Sequence, residues 1–287
     1  MLPRMEPSPA PKRIEIARLP GNKRFAVTTS WDDGVIEDRP LIEWMNANGL
    51  KGTFNLNSQT FKNEGKPSTE GRLDVSEVEK LYRGHEVAIH TSTHPHLPLL
   101  DPSAVALEVL EDRKMLEDIV GYPVRGMAYP FGTYSPRVIE ILRSLGIVYS
   151  RTVEQAEPCF PPKEPLAWPA TAHMFTEKDG LDIGQRFLKW RENRWAPHVY
   201  FVWGHSYEFA RPRDRWAELE QRFKPLCGHD DTWYCTNLEL FDYEDARQRI
   251  VVAANKKTAY NPSAITVTLL VDGKTIDVPA GQTVKLV

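Results

Sequence analysis

The chain has 287 residues, 41% of them hydrophobic and 26% charged, with a formal net charge of −3. That length suits one large domain or two modest ones. Charges of both signs are interspersed, with no basic run of the kind that binds nucleic acid, and no apolar run approaches the ~20 residues of a membrane span.

Residues 1–20 read as a mobile N-terminal arm, rich in Pro and charge at its start and lacking the apolar core of a secretory signal. Cys159, Cys227 and Cys235 are odd in number and widely spaced, which suits neither a disulfide framework nor a metal CxxC. Together these features lead to the expectation of a cytoplasmic protein. The stretch Arg24 to Ser30 is β-rich and runs into Asp32-Asp33-Gly34. Residues 39–48 predict a helix, with Pro40 in its first turn and Gly49 after its end. Thr53 to Asn57 is a strand, Val75 to Tyr82 a short helix, and Glu86 to Ile89 a strand that ends at His90.

Asp101-Pro102 opens a long helix as cap and first residue, and Gly121 closes it. Gly126 to Tyr129 is a short strand. Ser135-Pro136 repeats the helix opening, and Ile147 to Tyr149 is the next strand. A Pro-rich loop from Glu157 to Pro165 leads to a strand end at Leu166-Ala167-Trp168. A helix follows over 182–192, then the apolar strand 199–203 running to His205, a helix over 213–223, a strand at 233–235 and a helix from Asn237 to about Arg249. Strand and helix alternate about seven times, which predicts a parallel β/α architecture, a barrel or an open doubly wound sheet. At the end of the chain, alternation over 265–271, the Asp272-Gly273 turn and the short runs at 276–278 and 284–286 predict a three-stranded meander over 256–287. Some thirty residues bury too little to fold alone, so this extension is expected to pack on the main domain or to serve as a homo-oligomer contact.

The residues with chemistry fall at strand ends, where α/β active sites lie. Asp-Asp-Gly is also an ordinary turn formula, and single histidines are often satisfied polar groups. Their joint placement is what argues for a site. Thr91, Thr93 and Pro95 put His90 and His94 on a loop, not on a helix face. One carboxylate and two imidazoles can hold a divalent cation with positions left open. On a tight turn, adjacent acids point different ways, so one of Asp32 and Asp33 can bind the ion while the other faces water. Trp31, Tyr129, Phe131, Trp168 and Trp203 lie beside these motifs, as core or as a platform for a sugar ring. His85, His96 and His173 are taken as structural or surface residues.

The sequence resembles the polysaccharide deacetylases that share the NodB homology domain, carbohydrate esterase family 4. That family carries, in order, Thr-Phe-Asp-Asp-Gly, His-Ser/Thr-x-x-His, Arg-x-Pro-Tyr-Gly, Asp-Trp and Leu-x-His. Here they stand as Ser30-Trp31-Asp32-Asp33-Gly34, His90-Thr91-Ser92-Thr93-His94, Ala128-Tyr129-Pro130-Phe131-Gly132, Ala167-Trp168 and Trp203-Gly204-His205. The likeness spans roughly residues 24–250. It implies an irregular (β/α)7 barrel over 21–255. It also implies metal-dependent removal of N-acetyl or O-acetyl groups from a carbohydrate, with Asp32 as base and His205 as acid. Asp33, His90 and His94 would hold a divalent metal, Zn2+ above all, with Co2+, Ni2+ and Fe2+ compatible. Tyr129, Pro130, Phe131, Trp168 and Trp31 would line the substrate, the Phe131 amide facing the oxyanion and Trp168 the acetyl pocket. The family's arginine and aspartate are replaced by Ala128 and Ala167, with Arg125 and Glu164 the nearest substitutes in sequence. Two rival expectations stand beside this one: a cytoplasmic amidohydrolase of a small cyclic amide or imide, and a non-catalytic glycan-binding module.

Overall fold

Parallel strands cannot be joined by two-residue turns, so a strand-rich chain with helices between its strands must cross over each time. The computed structural model describes residues 10–61 and 71–287. Its main sheet contains Phe25–Asp32, Thr53–Leu56, Glu86–Ile89, Gly126–Ala128 and Tyr149–Gln155, each hydrogen-bonded to the next in parallel. Residues 168–173 then close the ring. Their first half, Trp168–Ala170, pairs with Tyr149–Gln155, and their second, Ala172–His173, pairs with Val199–Gly204. The last of these lies next to Phe25–Asp32. Seven strand positions therefore close an irregular barrel, the (β/α)7 arrangement.

Local chemistry sets the helices. Asp101 caps Pro102–Val120 by accepting from the Ala104 amide, and Gly121 ends it in the left-handed conformation. Ser135 caps Pro136–Ser144, and Asp182 with Gln185 forms a capping box on Ile183–Glu192. These helices, with Asp38–Ala47, Val75–Leu81 and Trp216–Phe223, bury one apolar stripe each against the sheet. No described helix is long and apolar enough to cross a membrane.

The barrel interior is partly polar. Glu86 is buried and accepts from Thr53 Oγ1 at 2.7 Å, Tyr149 Oη at 2.7 Å and the Leu238 amide at 2.9 Å. Tyr149 reaches across Gly126, where a Cβ would stand 2.2 Å from the phenol oxygen.

Two strand expectations are corrected. The strand expected over 147–149 starts at Tyr149 and runs on to Gln155, because Ser150 and Arg151 pair with Met127 and Ala128 on one side while Arg151 and Gln155 pair with Trp168 and Ala170 on the other. Leu166-Ala167 lies in a 3-10 turn, with Trp168 opening a strand rather than closing one.

The contacts divide the chain into two compact units. One comprises Val27–Asp230 with Tyr234–Leu238, and the other comprises the segment up to Ala26, Asp231–Trp233 and Glu239–Val287. This division differs from the expected cut at 255/256. In the second unit Asp272 and Gly273 both have positive φ and turn a hairpin between Val267–Val271 and Lys274–Val278. The expected meander stops there. Pro279 ends the ladder, and Thr283–Lys285 pairs instead with Thr258–Tyr260. The free side of the hairpin is taken by Ile14–Ile16, pairing with Leu269 to Val271. The expected arm thus contains a strand. Residues 1–9 of that arm lie outside the described residues.

Candidate functional site

Pleating sends successive side chains of Phe25–Asp32 to opposite faces. Val27 and Trp31 enter the hydrophobic core. Ser30 and Asp32 share the other face, where Asn55 donates to both at 2.8 Å. Asp33 then breaks the strand with φ of 85°. That left-handed step turns its carboxylate away from its neighbour's direction. Arg72 donates to its carbonyl.

His90 follows Glu86–Ile89 directly. Its amide donates to Leu56 O and to Asp112, both at 3.0 Å. Its Nδ1 lies 2.8 Å from Ala128 O. A carbonyl only accepts, so Nδ1 carries the proton and Nε2 keeps its lone pair. The loop beyond is strained, with positive φ at Thr91 and His94. Glu108 braces it by accepting from the Thr93 amide at 2.9 Å and from Thr93 Oγ1 at 2.6 Å.

These strand ends converge. His94 Nε2 lies 3.6 Å and His90 Nε2 3.9 Å from Asp33 Oδ1. Ligands about 2.0–2.2 Å from a tetrahedral ion stand roughly 3.4 Å from one another, so the trio is spaced as cation ligands are. Burial pushes both imidazoles toward the neutral form, His94 to about 4, where a charge on His90 also opposes its protonation. Neutral imidazole is the form that ligates. The donor set therefore fits a divalent cation.

Asp32 lies beside the trio, 3.8 Å from His90 Nε2 and 3.9 Å from His205 Nε2. Arg151, wholly buried, donates to its Oδ2. Burial alone would raise the Asp32 pKa, but Arg151, with His90 and His205, holds it well below the usual carboxylate range. His205 follows Val199–Gly204, and its Nδ1 lies 2.7 Å from Glu208 Oε1. Burial disfavours its cation, yet Glu208 and then Asp32 and Asp33 outweigh that and raise its pKa. The surroundings thus favour the ionised form of Asp32 and the cationic form of His205, side by side.

Arg151 and Glu208 were missed in the sequence. Arg151 is the register partner of Ala128 on the adjacent strand, so a guanidinium arrives one strand over from where the motif places it. Glu208 stands three residues after His205 on a 3-10 turn. The expected substitute Glu164 is instead bonded to Arg143 at the surface. His173, taken as structural or surface, lies 3.0 Å from Glu208 Oε1. His173, His205 and Glu208 form a second close group of potential ligands, but their atoms already hydrogen-bond one another.

The aromatic residues divide. Phe131 is 54% exposed, with φ of 57° and its ring 4.4 Å from His94. Tyr129 and Pro130 are buried, Tyr129 donating to Leu166 O at 2.7 Å. Trp168 is fully buried, stacked on Phe201 at 4.2 Å with Nε1 donating to Cys159 O. Trp31 packs on Phe223 and Phe209. Neither tryptophan has an exposed ring face: Trp31 lies in the packed layer between sheet and helices, and Trp168 is enclosed within the barrel against Tyr149 and Phe201. A cleft of about 620 Å³ is lined by Asp33, Arg72, Tyr207 and Arg211. Another, of about 490 Å³, is lined by His96, Leu99, Gly132, Tyr134 and Glu154.

Residues 20–150 match the family model described as polysaccharide deacetylase. Over 127 residues the chain is 30% identical to a chitin deacetylase of Arthroderma benhamiae, covering 42% of this chain and 31% of that protein. Over 129 residues it is 28% identical to a peptidoglycan-N-acetylglucosamine deacetylase of Listeria monocytogenes, covering 44% and 25%. The chain thus spans at most 31% of the length of these two relatives. Among solved structures, a Mycobacterium smegmatis protein assigned to the polysaccharide deacetylases aligns with a TM-score of 0.56 at 18% identity, covering 85% of this chain and 96% of that one. The Xyl-CE4 domain of a multidomain xylanase from the hindgut metagenome of Trinervitermes trinervoides aligns at 0.52 and 15%, covering 78% and 92%. At these identities the structural likeness speaks to the fold.

Proposed function

We propose that the protein, whose residues 20–150 match the polysaccharide deacetylase family model, is a metal-dependent hydrolase that removes N-acetyl groups from an amino-sugar carbohydrate. The observation that carries this reading is the convergence of two sets on one another. Asp33, His90 and His94 are spaced as ligands, and Asp32 and His205 stand beside them with their pKa values pushed in opposite directions.

Asp33, His90 and His94 would hold the cation, zinc by preference, with cobalt, nickel or iron compatible with the same donors. When bound, such an ion polarises an acyl oxygen and makes water more acidic. Asp32, ionised and fixed by Arg151 and Asn55, takes the proton of the attacking water. His205 carries a proton on Nε2 and delivers it to the departing nitrogen. The acyl C–N bond breaks, leaving acetate and a free amine. Two titratable groups driven apart in pKa within one site is the usual way to divide base and acid work. Phe131, exposed beside His94, meets the sugar, and its backbone amide faces the developing oxyanion. An O-acetyl ester on a polysaccharide is the near variant of the same chemistry, with an alcohol in place of the amine.

The test strips the full chain with a chelator, reloads it with zinc, cobalt, nickel or iron, and measures acetate release. The substrates are N-acetylated chitooligosaccharides and acetyl-xylan. Release should need the metal and should favour the amide substrate. Acetate release that persists undiminished in Asp32→Asn would refute the mechanism.

A further inference from the structure

Behind His205 lies a hydrogen-bonded array that no sequence motif includes. The protons in it can be placed by elimination. The Phe175 amide donates to His173 Nδ1 at 3.3 Å. An amide N–H only donates, so Nδ1 of His173 is unprotonated and its proton sits on Nε2. That Nε2 lies 3.0 Å from Glu208 Oε1. The same oxygen is 2.7 Å from His205 Nδ1 and 3.2 Å from the His205 amide. Glu208 Oε1 therefore accepts from His173 Nε2 and from the His205 amide, and although burial would raise its pKa, the hydrogen bonds from the two histidines bring it down to about 2, so it is an acceptor without a proton of its own. His205 Nδ1 must then carry a proton. Its other nitrogen, Nε2, is the one turned toward Asp32 at 3.9 Å.

We propose that His173 and Glu208 are paired positioning residues that fix which nitrogen of His205 faces the substrate, His173 acting through Glu208. This rests on the reading of His205 as the acid. Ring contacts hold the array in place: His173 sits edge-on against Trp203 at 4.7 Å, and His205 leans on Tyr207 at 4.9 Å. Asp32 and Asp33 face His205 from the cleft side, and Arg215 lies near Glu208. His173 comes from the strand segment Ala172–His173, in register with Trp203. The closing strand of the barrel thus sets the position of the acid on its neighbour.

Without a donor from His173, Glu208 loses one of its two side-chain anchors, and with 25% of its side chain exposed it can swing into water. His205 would then be free to exchange tautomers. Neutral glutamine at 208 can still accept both N–H groups through its single carbonyl oxygen, but it brings no charge. It should keep the tautomer and weaken the cation.

The full chain, labelled with 15N-histidine, separates these roles without needing turnover. In the wild type, His205 should stay in the Nδ1–H tautomer through its titration. In His173→Phe the Nε2–H form should appear, and kcat should fall about tenfold with KM unchanged. His173→Gln, whose terminal N–H reaches the place of Nε2, should restore both to within about threefold. Glu208→Gln should keep the tautomer and move the alkaline limb of kcat down by about one pH unit. An unchanged His205 tautomer in His173→Phe, or equal behaviour of the Phe and Gln variants, overturns the proposal. If the wild type releases no acetate, the deacetylase reading fails while the tautomer measurement still decides this one.

Discussion

Replacing Arg151 with methionine removes the guanidinium on which Asp32 rests while filling much of the same space. The two side chains are 0% and 4% exposed. Arg151→Met therefore leaves a buried carboxylate with His205, 3.9 Å away, as its nearest remaining cationic partner. Two unit charges about 4 Å apart at an effective dielectric of about 20 attract by about 4 kcal/mol, or roughly three units of pKa. Breaking buried pairs from one side typically destabilises by about 3–5 kcal/mol, which agrees. Urea unfolding of the chelator-treated protein at pH 7 should show a loss in that range. Asp32→Asn should lose a similar amount, since it strands a buried guanidinium whose Nε already has no hydrogen-bond partner among the described residues. The double variant should recover most of either loss, so the cycle should report a coupling of several kcal/mol. The sign with pH follows from a carboxyl held below its unfolded value. The coupling is fully present above about pH 4 and fades as pH falls further. Strictly additive losses, or an Arg151→Met protein as stable as wild type, would refute the reasoning.

Gly126→Ala puts a methyl 2.2 Å from Tyr149 Oη and should destabilise by about 1–3 kcal/mol; a variant of unchanged Tm would show that Tyr149 has room to move. Asp38, buried and bonded to Ser206 and Tyr82, has its pKa raised to about 7 by burial. Its contribution is fully present below the unfolded value near 3.8 and is lost as pH rises toward 7. The stability of wild type relative to Asp38→Asn should therefore fall by up to about 4 kcal/mol from pH 4 to pH 7, and a flat difference would contradict the assignment. His85 runs the other way. Burial lowers it to about 4, so the stability it contributes should be present above pH 6.5 and lost as pH falls to 4, as a wild-type versus His85→Asn titration of urea midpoints would show.

Much of this molecule could be read from local chemistry. The caps at Asp101, Ser135 and Asp182 stand within three residues of the amides they serve, so the helices they open were expected to within a few residues. His90, His94, Asp32 and Asp33 were legible because each follows an apolar strand. What escaped depends on pairing between distant segments. Arg151 was hidden because Tyr149–Gln155 reads as ending at Tyr149, and nothing in its own sequence announces that the next strand continues it. The family match also stops at residue 150, one short of it. Glu208 is close to His205 in sequence, but only the 3-10 turn brings it onto Nδ1. Ile14–Ile16 was placed in an arm because its partner lies some 250 residues away. Trp31 and Trp168 were misplaced for other reasons: Trp31, beside Asp32 on its strand, points to the opposite face, and Trp168 is enclosed inside the barrel by Tyr149 and Phe201 from distant strands.

Anomalous scattering at the zinc edge, from crystals of the chelator-stripped chain soaked in zinc, tests the central claim most directly. One peak per chain should appear, with Asp33 Oδ1, His90 Nε2 and His94 Nε2 about 2.0–2.2 Å away. A peak on His173, His205 and Glu208 instead, or no ordered peak at all, would contradict it.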